Sequence, residues 1–362
     1  MMQHKDKNQP EIFVSAPGRV CLFGEDQDYL GLSVIPAAIN RRVYIRGNVI
    51  HDDIIKIKYC NLDKQDQFSV AGKIAYIEKR DYIRSAVNVL KKQGYRIEGV
   101  DCEIWSEIPI SAGLSSSSAL VVAWVKFLAS ACGLPFSESD IARVAFDAEV
   151  TEFGEPGGMM DHFASALGGT FHMRCINPPV IERLNAELSG MVIGNTMVRK
   201  NTIESLNKRK SEIKMAIEDI SKYITNFNIE ITEFSEIKPY LNKLETNLSK
   251  RLCAVIRMRD IVKTAQKELI KKHPDPERIG ELMNLHHVCM RDCFENSIPE
   301  SERLIRAALD AGALGAKITG SGNGGCVAIY APDRQEEVAG AILECGCEAY
   351  IVEIDEGVRD EI

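Results

Sequence analysis

Four consecutive serines, Ser115, Ser116, Ser117 and Ser118, follow Ala112, Gly113 and Leu114 and run directly into the apolar stretch Ala119–Cys132. Fourteen residues is long for a strand, so the apolar stretch reads as a buried helix. The unpaired N–H groups of a helix's first turn, together with the positive end of its dipole, make an anion site. Glycine lets the backbone approach the anion, and serine hydroxyls add donors or bind a metal. The plain alternative is a serine N-cap, for which one serine suffices. The usual phosphate-loop pattern with Gly-Lys-Ser/Thr is absent, so phosphate binding here is a different solution to the same electrostatic problem.

A second glycine-bearing segment holds a formal GxGxxG at Gly320, Gly322 and Gly325. Dinucleotide binding requires a strand before that pattern and a helix after it. The residues that follow, CVAIYAP, are β-branched and end in proline, which predicts a strand. The segment is a strand, loop and strand, leaving a glycine turn that approaches a ligand or a plain tight hairpin. A third cluster lies early in the chain, where Arg19 and a short apolar run lead into Glu25, Asp26, Asp28 and Tyr29. Carboxylates that accept from hydroxyl groups suit a polyol or sugar, and an acidic surface turn is the plain alternative.

The elements that must position these groups are mixed. Strands are expected at 12–14, 20–23, 34–39, 43–49, 54–58 and 100–105, with helices at 81–93, about 139–153 and after Gly158. An extended segment at 169–174 precedes Pro178-Pro179, a boundary between expected domains at 11–178 and 179–362. Beyond it come a strand at 191–198, a charged helical stretch from 203 to 273, helices at 276–294 and 301–311, and strands at 316–319, 326–330 and 349–354. Strands and helices do not alternate strictly, which makes the class α+β.

The length of 362 residues favours two domains, and 45% hydrophobic with 27% charged residues excludes a disordered chain. A net charge of −8 argues against nucleic acid as a partner, though not against a small anion. No run reaches the roughly 20 apolar residues of a membrane span, and the N-terminus lacks the apolar stretch of a secretory signal. Eleven scattered cysteines without paired modules read as reduced thiols, so a cytoplasmic protein is expected.

Together and in this order, the three segments resemble the motifs of the GHMP kinases, the small-molecule kinases named for galactokinase, homoserine, mevalonate and phosphomevalonate kinases. The resemblance runs from about Ser15 to Tyr330 and is closest to galactokinases. Their first motif, roughly GRxNLxGEHTDYNGG followed by PxAI, is GRVCLFGEDQDYLGL followed by Pro36-Ala37-Ala38-Ile39 here. Their GLSSSAA is GLSSSSA at 113–119, their GIMDQ is matched by Gly158-Met159-Met160-Asp161-His162, and TGxGxGGC falls at 319–326.

The resemblance implies a two-domain GHMP-kinase-like fold, with an N-terminal α+β domain carrying the nucleotide loop and a C-terminal ferredoxin-like α+β domain. It implies transfer of the γ-phosphate of ATP to a monosaccharide hydroxyl, the anomeric one as in galactokinase. Backbone N–H groups of Ala112–Ser118 then cradle the phosphates, and Ser117 and Glu149 match the family's Mg²⁺ ligands. Asp161 matches the catalytic aspartate, and Arg19 the arginine that lowers the acceptor's pKa or steadies the transferring group. Glu25, Asp26, Asp28, Tyr29, Gly320 and Gly322 fall in the sugar-binding positions. A carboxylate of ordinary pKa, about 3.9, is a weak base, which leaves open whether Asp161 takes a proton or only orients the hydroxyl. Two further readings are another acceptor, such as mevalonate, and a non-catalytic regulator that binds sugar and ATP. The retained Glu25, Asp28 and Tyr29 favour a polyol, and the retained Asp161, Arg19 and serine loop favour turnover. Monomer and homodimer are both compatible with the sequence.

The chain departs from the galactokinase pattern at Asp26, which replaces a sugar-contacting histidine. Histidine can donate to a sugar oxygen, whereas an ionised aspartate only accepts. The added charge disfavours an acidic sugar unless a cation pairs with it. His162 stands in place of glutamine. Other signals have plainer readings. His286 and Cys293 lie about 10 Å apart along a helix, too far to share one zinc. Trp124 reads as core, Trp105 as core or as a wall of the nucleotide pocket with core the plainer reading, and the lysine-rich stretch 207–214 as a solvated helix face.

Overall fold

The computed structural model describes residues 10–109, 113–199 and 202–361. In chain order the strands are β1 (Ile12–Phe23), β2 (Ser33–Ile50), β3 (Ile54–Tyr59), β4 (Lys64–Ser69), β5 (Gly99–Ser106), β6 (Phe171–Arg174), β7 (Val180–Arg183), β8 (Met191–Asn195), β9 (Gly315–Ile318), β10 (Cys326–Tyr330), β11 (Glu348–Val352) and β12 (Arg359–Asp360). The helices are α1 (Tyr82–Lys92), α2 (Ser116–Ala131), α3 (Glu138–Phe146), α4 (Met160–Leu167), α5 (Thr202–Ile220), α6 (Phe234–Ile237), α7 (Thr246–Leu269), α8 (Pro276–Val288), α9 (Pro299–Asp310) and α10 (Gln335–Glu344).

The first sheet has the order β12-β1-β2-β5-β3-β4, with β6 beside β2 and β7 beside β6. Only β3 and β5 run parallel in it. β1 and β2 pair from Ile12↔Gly47 to Phe23↔Ile35, with register shifts at Pro17/Gly18 and Cys21/Phe23. Nearly all of β1 is buried, because α2 and α4 cover it. Gly18 sits where a Cβ would lie 2.8 Å from the Leu114 carbonyl oxygen, so only glycine lets the segment before α2 rest on β1. The Arg19 N–H donates to that carbonyl at 3.1 Å. Register along β1 therefore fixes where the serine segment lies.

The second sheet, β11-β8-β10-β9, is antiparallel throughout. β9 and β10 form the hairpin expected around the GxGxxG pattern. Sheet pairing does not stop at residue 178: β7 lies beyond it, and β12 returns from the C-terminal end to pair Val14 with Asp360 and Ser15 with Arg359. Buried Arg42 fastens that returning segment, donating to Asp355 at 2.6 Å and to the Gly357 carbonyl at 2.7 Å.

Several elements differ from expectation. The helical stretch 203–273 is broken between α5 and α7 by turns, the short α6 and a 3₁₀ turn at Lys238–Lys243, with Asn226 in the left-handed region and Pro239 at the 3₁₀ start. The helix expected over 139–153 opens into a π-turn at Asp147–Thr151. Polar β4, whose residues are mostly exposed at the sheet edge, and the ten-residue α10 carry too little periodicity to read from sequence. No helix among the described residues is long and apolar enough to cross a membrane.

Candidate active site

A cavity of about 900 Å³ is lined by residues from all three motifs: Arg19, Glu25, Asp28, Gly113, Ser115–Ser118, Glu149, Asp161 and Gly320. Segments up to three hundred residues apart in the chain thus meet in one cleft. Ala112 lies outside the described residues. Leu114 does not line the cleft; its side chain is buried in the core, and only its carbonyl serves the site. Gly322 does not line it either, because the hairpin turns that residue onto Asn296, whose carbonyl oxygen would be 2.5 Å from an added Cβ.

Ser115 occupies the N-cap position of α2 with left-handed backbone angles, and its hydroxyl makes no cap hydrogen bond. It donates instead to Asp161 Oδ2 at 2.6 Å. The first-turn N–H groups of α2 are therefore left for another acceptor, which distinguishes this segment from an ordinary serine cap. Ser117 is exposed, while Ser118 is buried.

Asp161 stands in the first turn of α4. Its Oδ1 accepts from Arg19 Nε and Nη2, both at 2.7 Å. Arg19 Nη1 reaches across to the Gly113 carbonyl at 2.8 Å. Burial alone would raise the Asp161 carboxyl, but the Arg19 guanidinium and the Ser115 hydroxyl outweigh it and hold the group below its ordinary value. The same carboxylate, working against burial, raises Arg19. Arg19, Asp161 and Ser115 thus form a charged bridge between β1, α4 and the start of α2.

The π-turn after α3 carries Glu149, whose Oε2 lies 2.8 Å from His162 Nε2. A π-turn widens the helix locally and is a common way to present a functional side chain. His162 is buried, and its Nδ1 has no partner.

At the other end of the cleft, Glu25 is 1% exposed. Its Oε1 accepts from the Gly320 N–H and lies 3.6 Å from the Lys317 ammonium, while Oε2 has no partner. Lys317 donates in turn to the Cys21 carbonyl at 2.7 Å. Asp28 accepts from the N–H groups of Tyr29 at 2.9 Å and Met160 at 3.3 Å. A Cβ on Gly158 would fall 2.1 Å from that carboxylate, so glycine is required beside it. Burial, the Asp161 charge and the Asp26 charge push Asp28 up to about 7. The Tyr29 hydroxyl is buried without a partner, and the Lys210 ammonium lies 5.3 Å from its ring centroid. Neither of these acidic positions is the surface turn that composition alone allows.

Two residues whose plainer reading from sequence is structural or solvated, Trp105 and Arg209, belong to the site or its wall. Trp105 stacks on Tyr44 with ring centroids 5.3 Å apart and lines the cleft, because β5 ends at its rim. Trp124 is core, as expected. Within 207–214, Lys208 and Lys214 are exposed, but Arg209 is buried and pairs with Asp26. Its spacing to the buried Ile213, Ala216 and Ile220 was the available signal, since it places Arg209 on the apolar stripe of α5. His286 accepts from the Gly24 N–H at 3.0 Å and His287 meets Glu302 at 2.9 Å, so each imidazole has its own separate partner.

The profile of the GHMP kinases N terminal domain matches residues 81–169, and that of the GHMP kinases C terminal domain matches residues 265–348. The galactokinase galactose-binding signature matches residues 3–48. Galactokinase of Actinobacillus succinogenes is 31% identical over 356 residues, covering 95% of this chain and 91% of its own. Mevalonate kinase of Thermococcus sibiricus is 30% identical, covering 97% and 98%. Among solved structures, Lactococcus lactis galactokinase complexed with galactose superposes with a TM-score of 0.87 at 25% identity, over 98% of this chain and 96% of its own. Methanococcus jannaschii mevalonate kinase shares the fold, with a TM-score of 0.74 at 19% identity over 96% and 100%. The chain belongs to the GHMP kinases. Within them it is a sugar kinase of the galactokinase type.

Proposed function

We propose that the chain transfers the γ-phosphate of ATP, with Mg²⁺, to the anomeric hydroxyl of an uncharged hexose, galactose first among them. The observation that carries this reading is the Asp161–Arg19–Ser115 bridge, set between an uncapped helix start on one side and Glu25, Asp28 and Tyr29 on the other.

The N–H groups at 113–118 receive phosphate oxygens, as the open first turn of α2 favours. Ser117 and Glu149 offer a hydroxyl and a carboxylate, the hard oxygen donors that Mg²⁺ takes alongside substrate phosphates. Bound there, Mg²⁺ would neutralise charge on those phosphates. The sugar hydroxyls find an acceptor in Asp28, and Glu25, whose buried Oε2 has no protein partner, braces the same end of the cleft. Asp161 accepts the hydrogen bond of the attacking hydroxyl. Its lowered pKa suits orientation better than early proton removal, and a loose phosphoryl-transfer transition state asks for little early deprotonation. Arg19, paired to Asp161 on one edge and to Gly113 on another, keeps that carboxylate ionised and in place.

The likeness to mevalonate kinases keeps a second acceptor in view. Mevalonate carries a carboxylate, and Arg19, Arg209 and Lys317 are each already engaged by a carboxylate of the chain. That charge pattern supports a neutral polyol. ADP release measured against hexoses, pentoses, uronic acids and mevalonate separates the readings. A neutral hexose should stimulate release strongly, and stimulation by mevalonate alone would overturn the proposal.

Asp28 adds a pH signature. Below about pH 7 its carboxyl is protonated, and above that it is ionised and accepts hydroxyls at both oxygens. The KM for sugar should fall as pH rises from 6 to 8 and then level off, while the KM for ATP stays flat. Asp28→Asn should abolish the slope. A sugar KM independent of pH in the parent enzyme would contradict this assignment.

A further inference from the structure

Asp26 is the one place in the first motif where an ionised carboxylate replaces a neutral or donating group. It sits in the left-handed region at φ 58° and is buried beside the acceptor end of the cleft. The buried guanidinium of Arg209, 183 residues further along the chain, pairs with its carboxylate. Arg209 Nη2 also donates to the Ser321 carbonyl at 3.1 Å, within the glycine hairpin, and the guanidinium lies 5.3 Å from the Phe294 ring centroid. One turn before it on α5, Leu206 lines the cleft. The next residue, Lys210, donates to the Pro156 carbonyl at 3.3 Å. Positions 206, 209 and 210 share one helix face, and that face touches the first motif, the glycine hairpin and the loop before α4.

We propose that Arg209 is a positioning residue that sets sugar selectivity by fixing the Asp26 carboxylate in the acceptor wall. A lone buried carboxylate there would be strongly unfavourable, whereas the pair is neutral overall and locked by the fork of the guanidinium. Held in this way, Asp26 presents an acceptor edge. The wall then favours sugars that place a hydroxyl against it and disfavours those that place a carboxylate there. Among the described residues Arg209 meets Asp26, the Ser321 carbonyl and the Phe294 ring and not the Asp161 bridge, so its influence falls on the acceptor and not on the nucleotide. This inference rests on the sugar-kinase reading of the cleft.

The test is steady-state kinetics on a sugar panel, with thermal melts, for the parent enzyme, D26N, R209M and the D26N/R209M double variant. R209M should raise the sugar KM at least tenfold and leave the ATP KM within twofold. The double variant should regain the melting temperature lost by R209M yet rank the sugars differently from the parent. Unchanged sugar KM and ranking in R209M, or sugar and ATP KM rising together, would overturn the proposal. Should R209M fail to fold, isosteric D26N carries the test: its amide oxygen still accepts from the buried guanidinium, so it should shift the sugar ranking at some cost in melting temperature, and an unchanged ranking overturns the proposal. If the parent phosphorylates no sugar at all, the sugar-kinase reading falls first and takes this inference with it.

Discussion

Replacing Asp161 by asparagine should lower kcat by about 10²–10⁴-fold, the range general acid–base groups supply. The side chain keeps its shape, so the loss isolates the charge. In the native site that charge is held ionised by two 2.7 Å contacts from Arg19 and one 2.6 Å contact from Ser115. Asparagine can still accept one hydrogen bond, but it cannot attract the attacking hydroxyl's proton as charge develops. The acceptor end at Glu25 and Asp28 remains, so the sugar KM should change by less than about threefold, as for a group used mainly in the transition state. A D161N enzyme that keeps a tenth of the parent's kcat would remove the proposed role. The Asp161 side chain is 28% exposed but its partner Arg19 only 5%. Loss of the charge leaves a buried guanidinium without its counter-ion, so the melting temperature should fall as well.

The second large effect concerns Lys317. This ammonium is fully buried, 3.6 Å from the nearly inaccessible Glu25 carboxylate. Methionine at this position would leave that carboxylate buried, still accepting from the Gly320 N–H but without the ammonium 3.6 Å away. Breaking a buried pair from one side typically costs about 3–5 kcal/mol. Urea denaturation of Lys317→Met should show a loss of that order, together with a raised sugar KM, since Glu25 can no longer hold its place. Lys317→Arg, which keeps the charge, should recover much of both. A methionine variant within 1 kcal/mol of the parent and with an unchanged sugar KM would contradict the pairing.

Much of this site was legible because its chemistry is written in short local patterns. The serine run, the GxGxxG hairpin, Arg19, Glu25, Asp28 and Asp161 each sit in a motif whose residue types suit their surroundings, and the cleft brings them together. Other features depend on long-range contacts that no local pattern encodes. Arg209 lies in a lysine-rich stretch, and nothing near it in sequence points to Asp26. Trp105 has the composition of core, yet the end of β5 places it at the rim. Ser115 shows a subtler limit. Its position at a helix start predicts a cap, but the left-handed backbone sends its hydroxyl to Asp161 instead. The same holds for the fold. β1 and β2 were visible as apolar runs, whereas two-residue β12 exists only because Arg42 and β1 receive the returning chain.

Asp26 shows the same division. Sequence alone marks it as an extra negative charge that sits poorly with a sugar-contacting histidine's position. The structure supplies the missing cation and turns the charge into a neutral, buried pair. This leaves Glu25 and Asp26 each matched to a buried cation, a balance that supports the proposed uncharged sugar.

The most direct measurement is ³¹P NMR of the enzyme with ATP, Mg²⁺ and galactose. The γ-phosphate resonance should decay in step with growth of a phosphomonoester signal that couples to the sugar's anomeric proton. A γ-phosphate that disappears into inorganic phosphate alone, or a phosphoryl group carried on a different hydroxyl, would contradict the proposed reaction.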